Sequence, residues 1–143
     1  KGSFCGMRTF SSCRSGNRRL YYFNGSELVQ ITEDHSYVAE LVAAGQITRE
    51  EAARHPRRNI ITRALGTREQ EQADTFKGSW KAGDMLMLCT DGLFGVLEDT
   101  EMARVLREEA DMEAACERLV EIALYGGSTD NISVALIRNE EGQ

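Results

Sequence analysis

The chain has 143 residues, 41% hydrophobic and 28% charged, with a formal net charge of −6. That length suits one domain with a real core, the acidic balance argues against general nucleic-acid binding, and no apolar run approaches the roughly 18 residues of a membrane span. Cys5, Cys13, Cys89 and Cys116 show no CxxC spacing, so they read as reduced thiols used as small hydrophobes in a cytoplasmic protein, with little to support a Cys5–Cys13 disulfide.

The first residue is Lys1, so Lys1–Gly6 is either a remnant ahead of Met7 or the chain is a piece of something longer. Arg19-Leu20-Tyr21-Tyr22-Phe23 and Leu28-Val29-Gln30-Ile31 flank Asn24-Gly25, which predicts a β-hairpin. From Asp34 the period changes: Val38, Leu41 and Val42 predict a short amphipathic helix that Gly45 can end. Thr48-Arg49-Glu50-Glu51 is a capping-box pattern opening a helix over Glu50 to Arg54, stopped by His55-Pro56. Residues 59–66 read as a strand closed by Gly66, and 75–80 alternate weakly. Lys81-Ala82-Gly83-Asp84 is a turn into Met85-Leu86-Met87-Leu88-Cys89, an apolar run expected to be a strand buried on both faces.

Two helices follow. Asp99 or Thr100 caps the first, with Met102, Val105 and Leu106 inward; Asp111 caps the second, with Met112, Ala115, Cys116, Leu119, Ile122 and Ala123 at helical spacing, ended by Gly126-Gly127. That stripe is core, not a cofactor box. Ile132 to Ile137 is a last strand entered through Ser128-Thr129-Asp130-Asn131. The order predicts an α+β fold with long helices covering a mainly antiparallel sheet.

Two carboxylates stand out. Asp91-Gly92 lies where the buried strand ends, and Asp130-Asn131 where the last strand begins. If those strands pair antiparallel, both carboxylates share one rim, and two so placed repel unless a proton or cation sits between them. All-oxygen ligation would suit Mg²⁺ or Mn²⁺. The blander reading makes Asp91 a turn residue and Asp130 an Asx-type turn, and spacing alone favours it.

The ordered segments add to this. Arg19-Leu20-Tyr21, Gln30-Ile31-Thr32-Glu33-Asp34-His35-Ser36, Glu51 through Asn59, Thr62-Arg63-Ala64-Leu65-Gly66, Gly83 through Leu93, and Gly127 through Val134 resemble, in order, the metal-dependent protein phosphatase family PP2C, in its bacterial branch. The resemblance covers roughly residues 16–137. It implies a four-layer αββα sandwich of antiparallel sheets flanked by helix pairs, with a flap over about residues 34–66. It implies removal of phosphate from phosphoserine and phosphothreonine proteins by a water that two or more Mn²⁺ or Mg²⁺ ions activate. Carried over by motif, Asp91 and Asp130 would be metal ligands and the catalytic residues; Gly92 would permit a tight turn and Asn131 support the loop.

The departures matter as much. The family's first portion supplies a phosphate-gripping Arg, a Glu-Asp pair and an Asp-Gly-His/Met-Gly-Gly segment, and nothing before Gly16 matches them. The family's Val-Gly-Asp-Ser-Arg appears as Ser15-Gly16-Asn17-Arg18-Arg19, with Asn17 for Asp and Arg18 for Ser; Arg14 stands where a small or apolar residue is expected. Residues 1–143 therefore read as a single partial phosphatase domain, truncated at its N-terminus, holding half of a metal centre and inactive or weak by itself. The alternative is a non-catalytic PP2C-like module that binds phosphoproteins or a protein partner. Truncation leaves sheet edges and apolar faces open, which predicts self-association.

Residues 46–68 hold six arginines against two glutamates, a local charge of +4. A basic flap beside the metals would attract a phosphorylated segment; the plain alternative is a solvated surface with ion pairs. His35 and His55 fit helix ends better than catalysis, Trp80 reads as core, and Cys89 as a buried strand residue rather than a nucleophile.

Overall fold

A computed structural model describes residues 9–11, 18–58, 60–62 and 75–140 of the chain. Its elements run β1 (Thr9–Ser11), β2 (Arg18–Phe23), β3 (Leu28–Gln30), α1 (Tyr37–Ala43), α2 (Arg49–Arg54), β4 (Thr75–Lys77), β5 (Met85–Thr90), α3 (Asp91–Phe94), α4 (Asp99–Glu108), α5 (Met112–Tyr125) and β6 (Val134–Arg138). β1 pairs with β4, and a four-stranded sheet has the order β3-β2-β5-β6. The described residues fall into two compact units, one from residue 9, 19–32 and 77–140, the other from 10–11, 18, 33–58, 60–62 and 75–76.

In the first unit, the hairpin forms as its pattern predicts, with Tyr22 opposite Val29 and Phe23 opposite Leu28. Asn24 closes the loop: its Oδ1 accepts from Ser26 N (2.9 Å) and Glu27 N (2.8 Å), and Gly25 takes φ 89°. Past the hairpin's end the buried Thr32 hydroxyl accepts the Leu20 N–H at 2.9 Å. The turn before β5 is built on Asp84, whose Oδ2 accepts from Lys81 N and from the Tyr22 hydroxyl, both at 2.6 Å.

The register of β5 against β6, Met85 opposite Arg138 and Cys89 opposite Val134, sorts the sheet's two faces. Tyr21, Phe23, Met85, Met87 and Cys89 turn inward and pack with Leu93, Leu97, Met102, Val105, Leu106, Ala115, Leu119 and Ala123. The helix stripes read from the sequence are thus the ones buried, although Met112, Cys116 and Ile122 are only partly covered. Burial pushes the Cys116 thiol up from its ordinary value, which suits an unreactive thiol. Cys5 and Cys13 lie outside the described residues.

The other face differs from expectation. β5 is not buried on both sides: Leu86 is buried, but Leu88 is 40% exposed, as are Val29 (51%) and Ile137 (57%). An unbroken apolar run reports that both faces prefer burial without specifying what covers them.

Element ends shift by a residue or two. α4 is capped at Glu98, without a side-chain bond, rather than at Asp99 or Thr100. Asp99 is instead occupied with Tyr21, whose hydroxyl donates to Asp99 Oδ1 at 3.0 Å. Asp111 caps α5 as expected, accepting from Ala114 N at 2.8 Å. The last strand begins at Val134, because Ser128 to Ser133 are committed to the loop.

In the second unit, α1 starts later than Asp34 suggests. Ser36 is the cap, its hydroxyl accepting from Ala39 N at 3.2 Å, and Gly45 at φ 71° ends the helix. The Thr48–Glu51 capping box is present in both directions, and His55 leaves the helical region ahead of Pro56. The strand expected over 59–66 is reduced, among the described residues, to an isolated Ser36–Ile61 bridge; Asn59 and 63–66 lie outside them.

Tyr21 is fully buried, and burial raises its phenol above the ordinary tyrosine range, against the lowering influence of Arg19. The folded state therefore favours the neutral phenol, so this contribution is whole below about pH 10, the unfolded value, and is lost as pH rises beyond it. Tyr21→Phe should flatten the fall of stability above about pH 10, read as urea midpoints on either side of that pH. A parallel fall in both proteins would refute the assignment.

Candidate functional site

The site grows from the end of β5. Thr90 N donates to Ser133 O (3.1 Å), the Thr90 hydroxyl donates to Asn131 O (3.1 Å), and Ser133 N donates to that hydroxyl (3.0 Å). One threonine thereby stitches the β5 exit to the β6 entry. Its hydroxyl is spent on this seam, and α3 has no side-chain cap although Thr90 is its N-cap residue.

Asp91 opens α3, a single turn closed by Gly95 N donating to Asp91 O at 2.8 Å and anchored by the fully buried Leu93. The Asp-Gly hairpin turn is therefore not what forms. Nor does Gly92 serve a positive-φ turn; among the described residues such glycines are Gly25, Gly45, Gly83 and Gly127. Gly92 is needed for close approach: a Cβ there would lie 2.5 Å from Asn131 O and 2.9 Å from Asn131 C. The Ser128 hydroxyl completes the seam by donating to Gly92 O at 2.7 Å.

Asp130 stands on the loop facing this turn. Its Oδ1 accepts from Asn131 N at 2.7 Å, a local bond that still leaves acceptor capacity on a two-oxygen group. Asp130 is exposed and Asp91 half-buried. The residues that follow the two carboxylates, Gly92 and Asn131, are in direct backbone contact, so both aspartates sit on one rim of the sheet.

Hard oxygen donors at a rim match Mg²⁺ or Mn²⁺. The nearby sulfur, Cys89, faces the core and is 2% exposed. Among the described residues no three Asp, Glu, His or Cys side chains gather into a metal-binding group. The donor set thus fits such an ion as two ligands of a larger set.

His55 keeps a structural position. His55 Nδ1 accepts from Arg57 N at 3.1 Å beside the Tyr37 ring, 6.2 Å away. Arg49, Arg54, Arg57 and Arg58 are all exposed. Arg57 lies over Tyr37 at 5.8 Å, and Arg58 donates to Ala53 O at 3.4 Å. Arg63 and Arg68 lie outside the described residues.

Thr90 and Ser128 were not legible as site residues, because their roles depend on the β5–β6 register. The sequence signal was only their nearness to the carboxylates, Thr90 directly before Asp91 and Ser128 two residues before Asp130.

The family model of the stage II sporulation protein E (SpoIIE) matches residues 34–140. The serine/threonine phosphatase stp of Listeria monocytogenes is 38% identical over 125 residues, covering 87% of this chain and 50% of the relative. The serine/threonine phosphatase of S. agalactiae superposes with a TM-score of 0.83 at 36% identity, covering 92% of this chain and 53% of that one. The catalytic domain of the serine/threonine protein phosphatase PstP, solved in complex with two manganese ions, superposes with a TM-score of 0.78 at 34% identity, over 93% of this chain and 54% of that one. The chain spans about half the length of these relatives. With its helices and antiparallel sheet matching theirs, the chain belongs to the SpoIIE/PP2C-type family of bacterial serine/threonine phosphatases.

Proposed function

We propose that this chain is part of the catalytic domain of a Mn²⁺- or Mg²⁺-dependent phosphatase acting on phosphoserine and phosphothreonine proteins in cytoplasmic signal transduction. Asp91 and Asp130 are its retained metal ligands. The observation that carries this reading is the Thr90–Asn131–Ser133 seam with the Gly92–Asn131 contact, which holds the two carboxylate-bearing segments together. When bound, such ions supply Lewis-acid charge at the phosphoryl group and make water more acidic. The chain's own part is to hold the ligands in register: Thr90 and Ser128 tie the turn to the loop, and Leu93 roots the turn in the core.

The chain should bind Mn²⁺ weakly, and Asp91→Ala or Asp130→Ala should each reduce that affinity by at least about tenfold, as loss of one of two carboxylates implies. Calorimetric titration reads this. Hydrolysis of p-nitrophenyl phosphate, run with and without Mn²⁺, should show at most weak turnover, metal-dependent and returned to background by Asp91→Ala. Affinity unchanged by either substitution would sink the ligand assignment. Turnover that is absent or metal-independent would reject the enzyme reading for this chain. A non-catalytic module binding phosphoproteins is the second reading, favoured by the lack of a third clustered ligand among the described residues.

This reading extends to assembly. The exposed Val29, Leu88 and Ile137 share one sheet face, and β3 and β6 end the described sheet. We infer self-association of the isolated chain through that face and those edges.

A further inference from the structure

The turn carrying Asp91 is gripped from a second side. The Arg19 guanidinium lies 4.0 Å from the centre of the Phe94 ring, and Phe94 is the last residue of α3. The same guanidinium donates from Nη1 to the Tyr21 hydroxyl at 3.1 Å, and that hydroxyl donates to Asp99 Oδ1 at 3.0 Å. Tyr21 is fully buried, Phe94 half-buried, and Asp99 begins α4. One cation therefore bears on both helices that follow β5: on α3 through an aromatic face, and on α4 through a buried phenol and a carboxylate.

A four-residue helix has almost no stability of its own, since forming the first turn fixes several residues for one hydrogen bond. The Asp91 turn has one side held by Gly92 and Ser128 against the β6 entry loop. Its far end, three residues on and across the turn, is Phe94. A guanidinium packed on a ring is worth more when shielded from water, and the planar fork lets Arg19 stack and donate at once, which a lysine ammonium cannot reproduce.

We propose that Arg19 is a positioning residue for Asp91: stacked on Phe94 and braced by Tyr21–Asp99, it sets the orientation of the turn from which that carboxylate is presented. Its bearing on metal binding rests on the function proposed above. The holding of the turn does not.

The test uses the chain with Arg19→Met, Arg19→Lys and, as control, Tyr22→Phe, which removes the bond to Asp84 at the opposite end of β5. Hydrogen exchange at the Gly95 amide, which closes the turn, reads α3 without any metal. Arg19→Met should speed that exchange by about tenfold and Arg19→Lys by less, with Tyr22→Phe leaving it unchanged. Mn²⁺ affinity should follow the same order, falling by about tenfold in Arg19→Met, as for supports that orient a ligand. Unchanged Gly95 exchange in Arg19→Met overturns the inference, as does equal acceleration in Tyr22→Phe, which marks general loosening. If exchange responds as expected but the unsubstituted chain binds no Mn²⁺, the proposed function fails and the positioning of the turn stands.

Discussion

Gly92→Ala is expected to cost the chain both stability and metal affinity, although intrinsic helix propensity argues the opposite. Gly92 sits inside α3 without positive φ, and glycine to alanine in an exposed helix is ordinarily favourable by about 1 kcal/mol. Here the added Cβ meets Asn131 O at 2.5 Å, Asn131 C at 2.9 Å and Ile132 Cγ1 at 3.1 Å. Two of the three are backbone atoms and cannot rotate aside. Either α3 or the 130–132 loop must move, straining the Thr90 and Ser128 bonds that join them. Overpacking of this kind costs roughly 1–3 kcal/mol, and displacing one ligand segment should weaken Mn²⁺ by about tenfold or more. Urea midpoints and calorimetry measure the two effects. An alanine variant as stable as the parent, with unchanged Mn²⁺ affinity, would show that the contact relaxes freely and that the seam does not set the site.

The isolated chain is expected to sediment above its 16.0 kDa monomer mass. The outer sheet face presents Val29, Leu88 and Ile137 at 51%, 40% and 57% exposure, and each such side chain fully withdrawn from water contributes about 1.5–3 kcal/mol. The β5–β6 register places Leu86 and Leu88 beside Ile137 and Ala135, so the apolar surface continues across neighbouring strands. Leu88→Lys combined with Ile137→Lys should return a monomer without loss of cooperative melting, because neither residue belongs to the inner core cluster. Sedimentation velocity with a thermal melt decides it. A clean monomer of the unsubstituted chain, melting cooperatively, would refute self-association.

Where interactions are local, the reading from residues and the structure agree. The Thr48–Glu51 capping box, the Asp111 cap, the Gly45 stop and the Asn24-Gly25 hairpin each involve groups within a few residues of one another. The buried stripe of Met102, Val105 and Leu106 likewise follows from helical period. The disagreements arise where a distant residue competes for a group. Asp99 does not cap α4 because Tyr21 takes its carboxylate across 78 residues of chain. Asp91-Gly92 does not form a hairpin turn because Leu93 is drawn into the core and Asn131 lies against Gly92.

For the proposed site, the sequence alone pointed to the two carboxylates, placed them at a strand exit and before a strand entry, and through the family resemblance suggested hard-oxygen chemistry that suits Mn²⁺ or Mg²⁺. It also determined the family, through segments whose order does not depend on coordinates. Only the tertiary structure decided how the carboxylates are held: the Thr90 seam, the Ser128 and Gly92 clasp, and the Arg19–Phe94 brace. It also decided that one face of β5 stays partly open at Leu88. Periodicity and caps act over one or two turns and are written locally. Register, close backbone approach and the covering of a face depend on which distant residues meet, and no local pattern encodes them.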